Sequence, residues 1–448
     1  MSSVGIVGGG LLGMALGEKL ARQGHQVTVL EAASRSGGLA APARIGGYTW
    51  DRFYHVILLS DQYLRALLDQ LGLTERLHWK PTRTGFYIDG RLRSLSSTLE
   101  FLTFPALGLV DKARLGANIL YASRIRDWLR LESLLASQWL KRWSGARAWE
   151  RLWLPLLRAK LGDNAEVASA AFIWATIARM YGARRTGMKR ETFGYVEGGY
   201  ASILQRFEEH LAGLGVESVY NARVSEVRSE AGRVRVSTPT ESFEFDNVVL
   251  TVPCSRIADL CSQLTEPERT RLRAVRYQGI VCAALILERP LADYYITNIA
   301  DAQSPFTAVI EMTALVDRSH FGGQALVYLP KYLTQQDSFW KKSDAEIEAE
   351  FLAALQRMYP QFRREDVRAF QVSRVREMLA VTTVDYSAQL LPSTQTSVDR
   401  VFVVNSAQIA NGTLNVNETV GLADRKVREL GALLQGPRAA FPASAGAA

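Results

Sequence analysis

The sequence predicts an α/β chain built on a Rossmann-type dinucleotide-binding domain, interrupted by a mixed α+β domain and a helical subdomain. Three observations carry this. A glycine-rich turn joins an apolar strand to a helix within the first 23 residues. Short strand patterns return after residue 222 and again near residue 400, and a Gly-poor helical stretch lies between the first and second blocks. With 448 residues, 48% of them hydrophobic and 22% charged, the chain is long enough for two or three domains with full cores.

In chain order, residues 4–7 read as a strand, 12–23 as a helix with small residues on one side, and 26–31 as a second strand, which together make a βαβ start. Helical periodicity follows at 62–71 and, more densely, from 111 to 184. Gly198-Gly199 leads into a helix over 201–214, strands at 223–227 and 233–237, and a buried strand at 247–252 closed by Pro253. Strand-like runs at 279–287, 306–313 and 325–329, with an amphipathic helix at 344–358, suggest a second sheet. A strand at 400–404, a turn-rich stretch and a helix over 417–434 end the ordered chain. The expected division is 1–90, 191–275 and 396–435 for the dinucleotide domain, 91–190 for a helical basic subdomain, 276–395 for a substrate domain, and 436–448 for a disordered tail.

Charge narrows the partners. Residues 101–200 hold 16 Lys and Arg against 8 Asp and Glu, an excess equal to the net charge of +8 for the whole chain. Between Lys112 and Arg158, basic residues alternate with Trp128, Trp139, Trp143, Trp149 and Trp153. This is either a solvated basic face or a surface for an anionic substrate or anionic lipid, with Trp at the headgroup boundary. No nucleic-acid motif accompanies the charge, so nucleic acid is not an expected partner. Three cysteines and five scattered histidines offer neither a disulfide framework nor metal-ligand spacing, so no metal is expected. The N-terminus runs into a strand without a secretory signal, which points to a cytoplasmic protein, with peripheral attachment to the inner face of the membrane left open.

Gly8-Gly9-Gly10-Leu11-Leu12-Gly13 fits G-x-G-x-x-G between a strand and a helix. Gly8 permits the tight turn, Gly10 lets the backbone approach a pyrophosphate, and Gly13 lets the helix pack on the strand. The helix N-terminus, including Gly9 and Leu12, supplies N–H donors and a partial positive charge. Glu31 ends the next strand about 20 residues on, where a carboxylate bonds ribose hydroxyls.

Glu31-Ala32-Ala33-Ser34-Arg35-Ser36-Gly37-Gly38 resembles the E-x-x-x-R-x-G-G extension of the flavin-containing amine oxidase superfamily. That group includes amine oxidases, protoporphyrinogen oxidases, carotenoid desaturases and, more distantly, UDP-galactopyranose mutases. The resemblance implies FAD, with Arg35 on the phosphates and Gly37 and Gly38 against the flavin. Gly198-Gly199 is similar to the family's mid-chain Gly pair, and Val224 to a valine whose backbone touches the adenine. Residues 401–425 are similar to the element that brings a helix N-terminus, here Asn417 and Glu418, to the flavin pyrimidine ring.

Three departures modify the implication. Asn405-Ser406 replaces the usual Gly-Asp or Gly-Glu, so Ser406 would stand where a carboxylate holds the cofactor, and retention is expected to be weaker. The strand at 277–287 has no lysine where amine oxidases carry one facing the flavin, and Leu39 follows the Gly pair in place of an arginine. Both weigh against amine oxidation.

On the substrate side, His55 lies in a loop where several members of the family carry a His beside the flavin ring, which makes it the catalytic candidate. Arg158 and Lys160, inside the positive subdomain, and Glu311 and Lys331, in strand-like runs, are substrate-binding candidates. Cys282 reads as a core residue. The resulting expectation is an FAD-dependent oxidoreductase that passes hydride from an apolar or carboxylated substrate to flavin N5. Two alternatives stay open: a non-redox isomerase acting on an anionic sugar, and an FAD-binding scaffold without catalysis. The oligomeric state is not legible.

Overall fold

The computed structural model of the chain describes residues 1–96, 98–183, 191–410 and 414–435. The expected disordered tail at 436–448 lies outside the described residues. Strands Ser3–Val7, Gln26–Leu30, Glu217–Val219, Asn247–Leu250 and Val401–Val403 form one parallel sheet, with Ser3–Val7 at its centre. These runs are rich in Val, Ile and Leu because helices and a smaller sheet cover both faces. Helices Leu11–Arg22, Gly199–Gly213 and Val416–Gln435 pack on one side. The antiparallel strands 226–230, 233–237 and 242–245, with helix Cys254–Leu260, cover the other. Three separated stretches of chain thus build the dinucleotide domain, because a parallel sheet draws neighbours from anywhere a crossover can return.

The second sheet has seven strands, in the order 367–380, 277–287, 325–333, 308–311, 296–299, 84–88 and 91–94. Its last two strands come from residues expected in the dinucleotide domain and at the start of the helical subdomain. The long strand Val367–Ala380 had no clear sequence signal. It is an edge strand whose outward Arg368, Arg374 and Arg376 break the apolar pattern. Alternation along the fully buried strand Tyr277–Leu287 gives the sheet two faces. Val281, Ala283 and Leu285 face helix Asp344–Met358, where Phe351, Leu352 and Leu355 pack. Ile280, Cys282 and Ala284 face Ile45, Trp50 and Phe53, toward the dinucleotide domain.

Helices Leu109–Ala122, Ala136–Ser144, Leu154–Leu161 and Ala170–Ala183 form the basic subdomain. The Trp series is not a membrane belt: Trp139 and Trp149 are buried, and Trp128, Trp143 and Trp153 pack against the same core. Indoles are the largest apolar groups available to a small helical unit, and their burial there outweighs interfacial placement. No helix among the described residues is long and apolar enough to cross a membrane.

Candidate active site

In the dinucleotide domain all five parallel strands end on the same edge of the sheet, and the residues predicted to bind a dinucleotide cluster beyond those ends. Gly8 has φ +116° and receives its turn from a bond of its N–H to the Leu30 carbonyl. A Cβ on Gly13 would stand 2.0 Å from the Gly8 carbonyl oxygen, so only glycine lets the helix sit this close. Helix Leu11–Arg22 starts at Gly10 with no side-chain cap and no acid in its first turn, which leaves its first N–H groups for an anion. The Leu12 side chain is buried in the core, so its contribution to a ligand is its backbone N–H. Thr251 buttresses the turn, its hydroxyl donating to the Val7 and Gly8 carbonyls, a role without a sequence signal.

The Glu31 carboxylate accepts from Gly9 N–H at 2.7 Å and Ala33 N–H at 2.8 Å, which leaves lone pairs for ribose hydroxyls. Gly37, at φ +115°, donates to the Gly9 carbonyl, and Gly38 would place a Cβ 3.1 Å from Gly10 Cα. Two glycine segments therefore run side by side as a trough without side chains. Arg35 is exposed beside it with no hydrogen bond or ion pair to the described chain. The segment 221–222 runs along 31–33 through two backbone bonds and delivers the buried Val224 to the same edge. Leu39, half-buried, packs toward the second sheet. The uncapped helix, the trough and Glu31 fit the diphosphate and ribose of a dinucleotide.

A second group of residues lies where the dinucleotide domain meets the seven-stranded sheet. Asp51 is buried and accepts from Tyr200 N–H at 2.7 Å, and the Tyr328 hydroxyl donates to the Asp51 carbonyl. His55 places Nδ1 3.8 Å from Asp51 Oδ2, with its ring 4.7 Å from that of Tyr200. Burial pushes the Asp51 carboxyl up to about 7, against the bond from Tyr200, and pushes His55 down to about 4. Trp50, Asp51, His55, Gly199, Tyr200 and Met312 line a small pocket here. Trp50 Nε1, Arg52 Nε, His55 Nδ1 and the Tyr200 hydroxyl are buried with no hydrogen-bond partner in the described chain. Such groups cost free energy unless a ligand satisfies them.

The aromatic wall continues with Tyr54, whose hydroxyl meets that of Tyr332 at 2.6 Å, and with buried Tyr295 and Tyr328. Lys160 places its ammonium 5.8 Å from the Tyr332 ring centroid and has no carboxylate partner among the described residues. Burial, then the charge of Arg179, lowers its pKa. Arg179 itself bonds the buried Asp61 and keeps Nε unpartnered. Sequence reasoning missed Arg179, although a lone arginine in an otherwise apolar helical run was an available signal.

The other substrate candidates lie elsewhere. Lys331 is on the opposite face of the sheet, its ammonium 4.9 Å from the Phe339 ring centroid, because strand alternation separates it from Tyr328 and Tyr332. Glu311 is buried and accepts from Ala292 N–H at 2.9 Å; burial pushes its carboxyl up to about 7. It fastens the turn at Ala292. Arg158 is exposed at the end of its helix and reaches Glu166 at 3.9 Å.

A family model described as flavin containing amine oxidoreductase matches residues 13–415. The chain belongs to this family. Members similar to it include coproporphyrinogen III oxidase of Mycobacterium leprae, 28% identical over 64% of this chain and 66% of the relative. A protein of Mycobacterium tuberculosis, provisionally named as a flavin-containing monoamine oxidase, is 24% identical over 55% of this chain. The chain spans 56% of that relative's length. The fold matches the crystal structure of a protein from Exiguobacterium provisionally named as a protoporphyrinogen oxidase, at TM-score 0.75 and 20% identity, covering 96% of this chain and 98% of the other.

The C-terminal residues divide. Asn405 turns its amide inward to the Val252 carbonyl, and its side-chain oxygen caps the following turn. Ser406 follows the last parallel strand, its hydroxyl without a hydrogen-bond partner among the described residues. Asn417 stands at the helix N-terminus expected at the cofactor, and its side chain accepts from Tyr63 and Leu64 N–H and so caps helix Gln62–Gln70. Glu418 accepts from the Asn417 amide at 3.3 Å.

Proposed function

We propose that the protein is an FAD-dependent oxidoreductase that takes hydride from an apolar or carboxylated organic substrate. The observation that carries this reading is the chemistry of the side chains between the two sheets. The face of strand Tyr277–Leu287 toward the dinucleotide domain carries the buried Ile280, Cys282 and Ala284, none of them basic, while Lys160 stands near the Tyr332 ring with no carboxylate partner among the described residues. A neutral ring system with an acidic substituent complements that set better than an amine does.

The glycine trough and the helix start at Gly10 would hold the diphosphate, Glu31 the ribose and Arg35 the phosphoryl charge. When bound, FAD supplies the two-electron acceptor. The chain supplies position and charge. Tyr54, Tyr328 and Tyr332 exclude water, and burial keeps Tyr54 and Tyr328 protonated as donors. His55, neutral near pH 7, can orient a group through either ring nitrogen, and Asp51 holds its proton up to about pH 7. Lys160, with Arg179 behind it, would take the substrate carboxylate.

The test is anaerobic reduction of the FAD-loaded protein with a panel containing coproporphyrinogen III, the compound in the name of one relative, a primary amine, and a polyene hydrocarbon. Bleaching of the flavin bands by the carboxylated or apolar members supports the proposal. Bleaching by the amine alone, or isomerisation of a sugar without net electron transfer, overturns it.

A further inference from the structure

The helical subdomain carries an apolar surface that neither the glycine trough nor the pocket at Asp51 and His55 uses. Helix Leu109–Ala122 buries Lys112, Leu115, Asn118 and Ala122, and turns Leu109, Val110, Ala113, Ala117, Leu120 and Tyr121 outward. Leu109 is 76% exposed and Val110 73%. The preceding helix, Thr98–Thr103, adds Leu99 at 71% and Leu102 at 51%, and Lys112 Nζ ties it in by bonding the Leu102 carbonyl at 2.6 Å. Among the described residues, every large exposed apolar side chain except Met1 and Tyr63 falls between residues 99 and 134. An outward-facing leucine stripe of this kind marks an interaction surface.

Cations lie on the same helical subdomain. Arg114 sits at the edge of the stripe, its guanidinium on the carbonyls of Arg142 and Trp143. Arg114, Arg124, Arg126, Lys141 and Arg142 have no carboxylate partner among the described residues, in the hundred residues that hold the chain's charge excess. A second copy of the chain would press this positive surface against its own like, whereas anionic phosphates complement it.

We propose that this face docks on an anionic lipid bilayer, with Leu99, Leu102, Leu109 and Val110 entering the headgroup boundary and the unpaired arginines meeting lipid phosphates. Leu109 and Val110 lie in the first turn of helix Leu109–Ala122, so insertion would be shallow and involves no spanning segment. Each cation near the surface strengthens binding about fivefold.

The experiment is co-sedimentation of the full-length, FAD-loaded protein with vesicles of phosphatidylglycerol and phosphatidylcholine in equal parts, against phosphatidylcholine alone. The expected result is binding at least about tenfold tighter to the anionic vesicles, largely lost in 1 M salt. The double variant Leu109→Ser/Val110→Ser should bind at least about tenfold less, with unchanged flavin content and melting temperature. Sedimentation velocity without lipid runs alongside. Absence of vesicle binding, binding that the double variant leaves intact, or a dimer that the variant dissolves would each overturn the proposal, the last in favour of a second copy.

Discussion

Two glycines in the first turn separate what the fold needs from what a ligand needs. Gly10 has φ −69° and ψ 171°, backbone that any residue adopts, and a Cβ there would meet nothing nearer than Gly38 Cα at 3.9 Å. Gly10→Ala should therefore leave the apoprotein's stability within about 0.5 kcal/mol of the wild type. The same methyl projects into the trough where a pyrophosphate would lie, and a displacement of about 1 Å of a charge-assisted contact costs most of it. Flavin affinity should fall about 100-fold, or about 2.7 kcal/mol. Gly13→Ala is the contrast. Its Cβ would stand 2.0 Å from the Gly8 carbonyl oxygen, so the helix must move by more than an ångström, which costs about 1–3 kcal/mol of stability together with cofactor binding. The assays are thermal unfolding of each apoprotein and fluorescence titration with FAD. Gly10→Ala protein that binds FAD like the wild type would refute the reasoning, as would Gly10→Ala apoprotein as unstable as Gly13→Ala.

Three further outcomes follow from the same geometry. Burial raises the Glu311 carboxyl to about 7, so its contribution to stability is complete below pH 4 and is lost as pH rises toward 7. Glu311→Gln keeps an acceptor for Ala292 N–H and should stabilise the protein by about 1–3 kcal/mol at pH 8 and by nothing at pH 4, read from urea unfolding at both pH values. His55 is depressed to about 4, so its ring signals in NMR should show no protonation between pH 7.5 and 5.5, and a midpoint near 6.5 would contradict its burial. Asn417→Ala leaves the N–H groups of Tyr63 and Leu64 without their cap and should cost about 1 kcal/mol in unfolding, with the flavin absorption spectrum unchanged.

The local signals in the chain were strong where chemistry and backbone constrain each other over a few residues. Gly8 to Gly13 needs a turn that only glycine permits, and Glu31 follows at a separation set by one helix and one strand, so both were legible. Helix 344–358 was equally legible, because its apolar residues, Ile347, Phe351, Leu352, Leu355 and Met358 among them, recur at helical spacing and are the ones it buries. Strand Val367–Ala380 was not: its outer face carries arginines that mask the alternation, and its pairing partner lies about 90 residues earlier.

The sequence by itself determined the glycine turn and acid of the first βαβ unit, the helical and positive character of the middle of the chain, and the absence of a lysine from strand Tyr277–Leu287. Tertiary structure alone decided which side chains share a space. Strand alternation sent Lys331 to the far face while Tyr332, its neighbour, joined Tyr54, and chain crossover brought Arg179 to Asp61 from more than a hundred residues away. Packing also turned the tryptophans inward and the leucines of helix Leu109–Ala122 outward, an outcome that depends on which surface the neighbouring helices cover. Periodicity records that a helix has an apolar face. Only the assembled molecule determines whether another part of the chain lies against it.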